Sequence, residues 1–126
     1  MEESGLWVGS IVINCDDFPR MMRFWQEALG YVAKYPPDKG WVILRDPRGA
    51  GPNISLDQTS EGHLEDYRIH LDLYSSDADA EVKRLVGLGA KIVQPRSKET
   101  DYTTLSDPDG NLFDVIHHDG MKFGER

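Results

Sequence analysis

Three ionisable side chains have the type and spacing for chemistry: His70 and Asp72 in Arg68-Ile69-His70-Leu71-Asp72-Leu73, and Asp114 in Leu112-Phe113-Asp114-Val115-Ile116. On an extended strand, residues two apart share a face, so His70 and Asp72 point the same way and Asp114 shares the face of Leu112 and Ile116. A histidine beside a carboxylate is a proton-transfer pair where geometry brings the two together; otherwise it is a hydrogen-bonded polar residue lining a wet pocket. An inward carboxylate flanked by apolar neighbours must be solvated, paired or protonated, and each of these states makes it a candidate for a site. His70 and Asp114 are therefore the candidate catalytic residues.

Other chemistry-bearing residues read more plainly. Cys15 is the single cysteine, so no internal disulfide forms and a reducing compartment is compatible. It alternates with Ile11 and Ile13 along an apolar run, the pattern of a small core residue rather than of a catalytic thiol. His117 and His118 are adjacent, point to opposite faces of a strand, and read as surface residues. The formal net charge of −8 lacks the basic footprint that nucleic acid or anionic lipid demands. No run approaches the roughly 20 apolar residues of a membrane span, and the acidic start MEESGLWVGS does not resemble an export signal. The expectation is a cytoplasmic protein with a small-molecule partner, no nucleic acid and no membrane.

The elements that position these residues occur twice. With 126 residues the chain suits one domain, yet its two halves, about 7–58 and 67–117, carry the same punctuation in the same order. Each opens with an apolar strand, Trp7 to Cys15 and Tyr67 to Tyr74. An amphipathic helix follows each. In the first, Asp16 or Asp17 caps the orphan amides, Pro19 suits the first turn and Gly30 ends the helix. Phe18, Met21, Met22, Trp25, Ala28 and Leu29 fall on its buried face, so Trp25 reads as core. The second begins near Asp77, buries Ala78, Val82, Leu85 and Leu88, and stops at Gly89.

After each helix come a short strand and then a second one, Trp41 to Arg45 in the first half and Tyr102 to Ser106 in the second. Each runs into an Asp-Pro-x-Gly turn, Asp46-Pro47-Arg48-Gly49 or Asp107-Pro108-Asp109-Gly110. Such a turn is of type I and reverses the chain into a final strand, Asn53 to Gln58 or Leu112 to His117. The stretch Thr59–Asp66 joins the halves. The fold class is α+β: two βαβββ modules forming an open barrel-like mixed sheet around a central cavity, with the helices outside. Alternation then lines the cavity with Ser10, Val12, Asn14, Trp41, Ile43, Ser55 and Asp57 from the first half. The second half supplies His70, Asp72, Tyr102, Thr104, Leu112, Asp114 and Ile116. Trp41 and Tyr102 are candidates for an aromatic platform under a flat ligand, or for plain packing.

The segments Asp17-Phe18 through Phe24-Trp25 to Leu29-Gly30, Arg68 to Leu73, and Asp107 to Phe113 resemble, in order and spacing, the signatures of glyoxalase-like members of the vicinal oxygen chelate superfamily. This superfamily includes glyoxalases, bleomycin resistance proteins and dioxygenases. The resemblance spans Trp7 to His117. It implies metal ligands on the first and last strands of each half, for a divalent ion such as Zn, Ni, Fe, Mn or Mg. His70 and Asp114 match two of those positions. Ser10 and Ser55 occupy the other two, where a neutral hydroxyl is a poor ligand. Asp at 114 in place of the usual Glu shortens the reach by about 1.5 Å, one C–C bond. Asp57, or Gln58 if a bulge shifts the phase, is the substitute that strand geometry offers.

The resemblance further implies a homodimer and a small-molecule-binding protein: a lyase, an isomerase or a resistance protein acting between the modules. Two alternatives stand beside it, a metal-free protein that sequesters a planar or aromatic compound and a non-catalytic structural or regulatory dimer.

Overall fold

The computed structural model describes residues 4–58 and 68–119. The expected connection Thr59–Asp66, the start of the fifth strand at Tyr67 and, Asp119 apart, the tail after His118 lie outside the described residues. The elements run in the order β1 (Trp7–Cys15), α1 (Phe18–Leu29), β2 (Val32–Ala33), β3 (Trp41–Arg45), β4 (Ile54–Gln58), β5 (Ile69–Ser75), α2 (Ala78–Gly87), β6 (Lys91–Gln94), β7 (Tyr102–Ser106) and β8 (Leu112–His117). The strands form an open mixed sheet in the order β2-β3-β4-β1-β5-β8-β7-β6, so each half contributes four neighbouring strands. Strands β1 and β4 are parallel, as are β5 and β8. The other pairs within each half are antiparallel.

The expected caps are present. Asp17 rather than Asp16 caps α1, accepting the Arg20 amide at 3.3 Å, and Gly30 closes the helix in the left-handed region at φ 71°, where a residue without Cβ is unstrained. Asp77 caps α2 by accepting the Ala80 amide at 3.3 Å. Both Asp-Pro turns close with the glycine amide donating to the aspartate carbonyl, Gly49 to Asp46 and Gly110 to Asp107, each at 2.9 Å, the bond that marks a type I turn.

The chain divides into two compact units, Ser10–His70 and the segment up to Gly9 together with the residues from Leu71 onward. In the first, α1 covers one side of its strands, where Cys15, Phe18, Tyr31, Val42, Leu44 and Leu56 form the core with Met21, Met22, Trp25 and Leu29 against them. In the second, α2 does the same over Ala78, Val82, Ala90, Leu105 and Val115, with Leu73, Leu85 and Phe113 alongside. Two helical expectations need correcting. Ala28 is exposed on α1, the helix being held by the larger side chains beside it. Leu88 is 67% exposed, because α2 ends at Gly87 and Leu88 serves as its cap, so the apolar periodicity that placed it inward no longer applies. Among the described residues no helix is long and apolar enough to cross a membrane.

Candidate functional site

Because helix-facing residues alternate with the rest, the face of each unit turned from its helix is fixed by register. In the first unit Val12 lies opposite Ser55 and Asn14 opposite Asp57 on β1 and β4. Ile43 lies opposite Ser55 and Trp41 opposite Asp57 on β3 and β4. In the second, Asp72 lies opposite Asp114, and Thr104 opposite Asp114 and Tyr102 opposite Ile116. Leu112 pairs with Ser106 on the same face. Position by position the two registers coincide: Val12 corresponds to Asp72, Ser55 to Asp114, Ile43 to Thr104 and Trp41 to Tyr102.

The polar groups on these faces differ between the units. Ser10 and Ser55, 1% and 0% exposed, bond directly through their hydroxyl oxygens at 2.6 Å. Ser10 Oγ also reaches the Asn53 carbonyl at 3.3 Å. In the second unit Thr104 Oγ1 donates to Asp114 Oδ1 at 2.6 Å. His70 precedes Asp72 by two positions on β5, and β8 is the hydrogen-bonded neighbour of that strand. One ligating atom from each of His70, Asp72 and Asp114 lies within 4.8 Å of the others, and all three residues are buried.

The structure thus gathers His70 and Asp114 with Asp72, which the sequence placed on the same face without giving it a ligand's part. Asp57 is not in this group; it is half-buried on β4, and Gln58 is exposed at the end of that strand. Asp72 could have been found from the sequence only with the β5–β8 register in hand, since its place opposite Asp114 depends on how two strands about forty residues apart align.

Cys15 is buried in the first core with its thiol donating to the Asp57 carbonyl at 3.7 Å. Burial, reinforced by the charges of Asp57, Asp16 and Asp17, pushes that thiol up from its ordinary value, the reverse of an activated nucleophile. His117 pairs with Asp119 at 2.8 Å, and His118 stacks on Tyr74 with ring centroids 5.0 Å apart. A separate groove of about 550 Å³ lies on the helix side of the first unit, between Ile13, Met21, Phe24, Trp25 and Ile69. Trp25, read from sequence as core alone, also lines this groove.

The glyoxalase-like domain family matches residues 10–116, and the chain belongs to that family, within the glyoxalase, bleomycin resistance and dioxygenase superfamily. No curated protein matches the chain. Among solved structures it is similar to a superfamily member from Vibrio splendidus 12B01, with 19% identity over 90% of this chain and 99% of that one and a TM-score of 0.60. It is similar also to methylmalonyl-CoA epimerase from Mycobacterium tuberculosis, with 19% identity, 87% and 86% coverage and a TM-score of 0.62. A Streptomyces coelicolor methylmalonyl-CoA epimerase variant in complex with 2-nitronate-propionyl-CoA shares 17% identity over 94% and 99% of the two chains, with a TM-score of 0.65. At these identities the likeness is one of fold.

The resemblance implies a divalent metal, and the donor chemistry here tests the fit. Two serine hydroxyls bonded to one another at 2.6 Å offer no anionic ligand. One imidazole and two carboxylates within 4.8 Å are a suitable set for a hard or borderline divalent ion.

Proposed function

We propose that this chain is an enzyme of lyase or isomerase type, which moves a proton at a carbon next to a carbonyl in a small molecule, with His70, Asp72 and Asp114 as its working centre. The supporting observation is the gathering of these groups within 4.8 Å at 7%, 5% and 6% exposure. Isolated buried charges are costly, and a fold keeps such a cluster where its chemistry is used. The epimerases among the structures of the same fold favour the isomerase branch.

In this reading a carboxylate or the His70 imidazole takes the proton from carbon and returns it to the same or a neighbouring atom. Thr104 holds Asp114 Oδ1, which fixes the rotation of that carboxylate. A divalent cation, when bound, supplies the positive charge that steadies the oxyanion formed beside that carbon. Burial keeps bulk water from competing for the proton.

The test is proton exchange in D2O, followed by NMR, over a panel of branched acyl thioesters and 2-hydroxy and 2-oxo acids. At least one compound loses its signal at the carbon next to the carbonyl. The rate falls at least about 100-fold, the usual scale for a lost general acid or base, in His70→Gln and Asp114→Asn variants whose circular dichroism matches the parent. Binding of a panel compound with no loss of any carbon-bound proton overturns the enzyme reading and leaves the sequestering protein.

A further inference from the structure

We infer that this chain holds its divalent cation on one strand pair alone, through His70 and Asp72 of β5 and Asp114 of β8, with Thr104 as a positioning residue and with Ser10 and Ser55 outside the ligand set. The inference deepens the proton-transfer reading above, but its test does not depend on turnover.

The register carries the argument. Asp72 and Asp114 are direct partners on parallel strands, so their side chains leave the sheet on the same side within reach of each other. Both are more than nine-tenths buried. Two carboxylates opposed on one face offer a divalent cation two anionic oxygens to bind between them. His70, two residues before Asp72 on the same face and 7% exposed, brings the third donor within the same 4.8 Å. One imidazole nitrogen and two carboxylates would favour manganese or magnesium over the softer, sulfur-seeking metals.

The first half of the sequence supplies the contrast. At the positions corresponding to His70, Asp72 and Asp114 it has Ser10, Val12 and Ser55, so no anionic donor is present. Its two hydroxyls are engaged with each other at 2.6 Å. At the position of Thr104 stands Ile43, which has no hydrogen bond to give. In the second unit the Thr104 hydroxyl bonds Asp114 Oδ1 at 2.6 Å, the kind of outer contact that orients a ligating carboxylate.

Binding of Mn2+ to the full chain, produced without a histidine tag and stripped with chelator, is read by the electron paramagnetic resonance of the free ion. One equivalent binds per chain. Asp72→Asn weakens it at least 10-fold. Thr104→Val weakens it about 10-fold, the lower end of what a lost outer-shell partner costs, and Thr104→Ser restores it. Ser10→Ala leaves it unchanged.

No stoichiometric binding overturns the inference, and so does loss of binding in Ser10→Ala with Asp72→Asn unaffected. If Asp72→Asn does not fold, the Thr104→Val and Thr104→Ser pair decides the question: equal affinity in the two variants overturns the positioning part and the strand-pair site with it. Proton exchange by chelator-stripped protein that binds no Mn2+ defeats this inference while leaving the proton-transfer reading intact.

Discussion

On the face of β1 and β4 turned away from α1 stand Ser10, Val12 and Ser55, and the matching places on β5 and β8 hold His70, Asp72 and Asp114. The backbone register is the same, so the difference between a sealed hydroxyl pair and an ionisable triad is a matter of side chains alone. On the opposite faces the two units are alike: each packs one helix over an apolar core centred on fully buried leucines, Leu44 and Leu56 in the first and Leu105 in the second. Repetition thus preserves the side that folds and lets the other side diverge, which is where a function can be placed without cost to the core.

The largest effect should come from forcing the second half's chemistry on the first. Ser55 is 0% exposed with Ser10 Oγ at 2.6 Å, so Ser55→Asp places a carboxylate where no cation or second donor awaits it. A loss of about 3–5 kcal/mol is expected, the usual cost of an uncompensated buried charge, measured by urea unfolding at pH 7. In the triple variant Ser10→His, Val12→Asp, Ser55→Asp, Mn2+ should recover part of that loss, since ligand binding to the folded state stabilises it. No recovery would show that register alone does not make a site.

The helix-facing sides should respond equally. Leu56→Ala and Leu105→Ala each empty a wholly buried position in its own core, and each should cost about 2–5 kcal/mol, with the two values close together. A wide gap between them in denaturant unfolding would mean that the cores are not equivalent. Smaller again is Ser10→Ala, which leaves the buried Ser55 hydroxyl without its 2.6 Å partner. About 1–2 kcal/mol should be lost, and Ser10→Ala combined with Ser55→Ala should recover most of it, because both ends of the bond are then gone.

The repeat was legible because each half is punctuated locally. Capping aspartates, glycine stops and Asp-Pro-x-Gly turns act over a few residues, and alternation assigned the faces of β1, β3, β4, β7 and β8 from Trp7 to His117. The two misplaced helical residues, Ala28 and Leu88, failed where periodicity ran past what packing needs. The site was legible as a face but not as a set of partners. His70, Asp72 and Asp114 were all read inward, yet the opposition of Asp72 to Asp114 follows from the β5–β8 register, which no local motif encodes. Asp57 and Gln58 drew attention as substitute ligands through proximity to Ser55 in sequence. The bond between Ser10 and Ser55 joins residues 45 positions apart and has no signature at all.

The smallest effect lies in the two Asp-Pro turns, identical in type but unequal in what their aspartates do. The Asp46 carboxylate accepts Arg48 Nε and the amides of Arg48, Ala50 and Gly51, and Arg48 above all holds it well below the usual carboxylate range. Asp107 accepts the amides of Asp109 and Asn111 and the Asn111 side chain, which lower it too, without help from a cation. A carboxylate depressed in the folded state contributes stability that is complete above its unfolded value, about 3.9, and is lost as pH falls through the folded value. The difference between parent and Asp46→Asn should therefore be constant above about pH 4 and shrink on acidification, as should the smaller difference for Asp107→Asn. Since the Arg48 side chain is 71% exposed, solvent screens its share, and added salt should narrow the gap between the two variants. Thermal unfolding between pH 2 and 7 reads both. An equal or larger effect at Asp107 would show that backbone amides, rather than the arginine, set the strength of these turns.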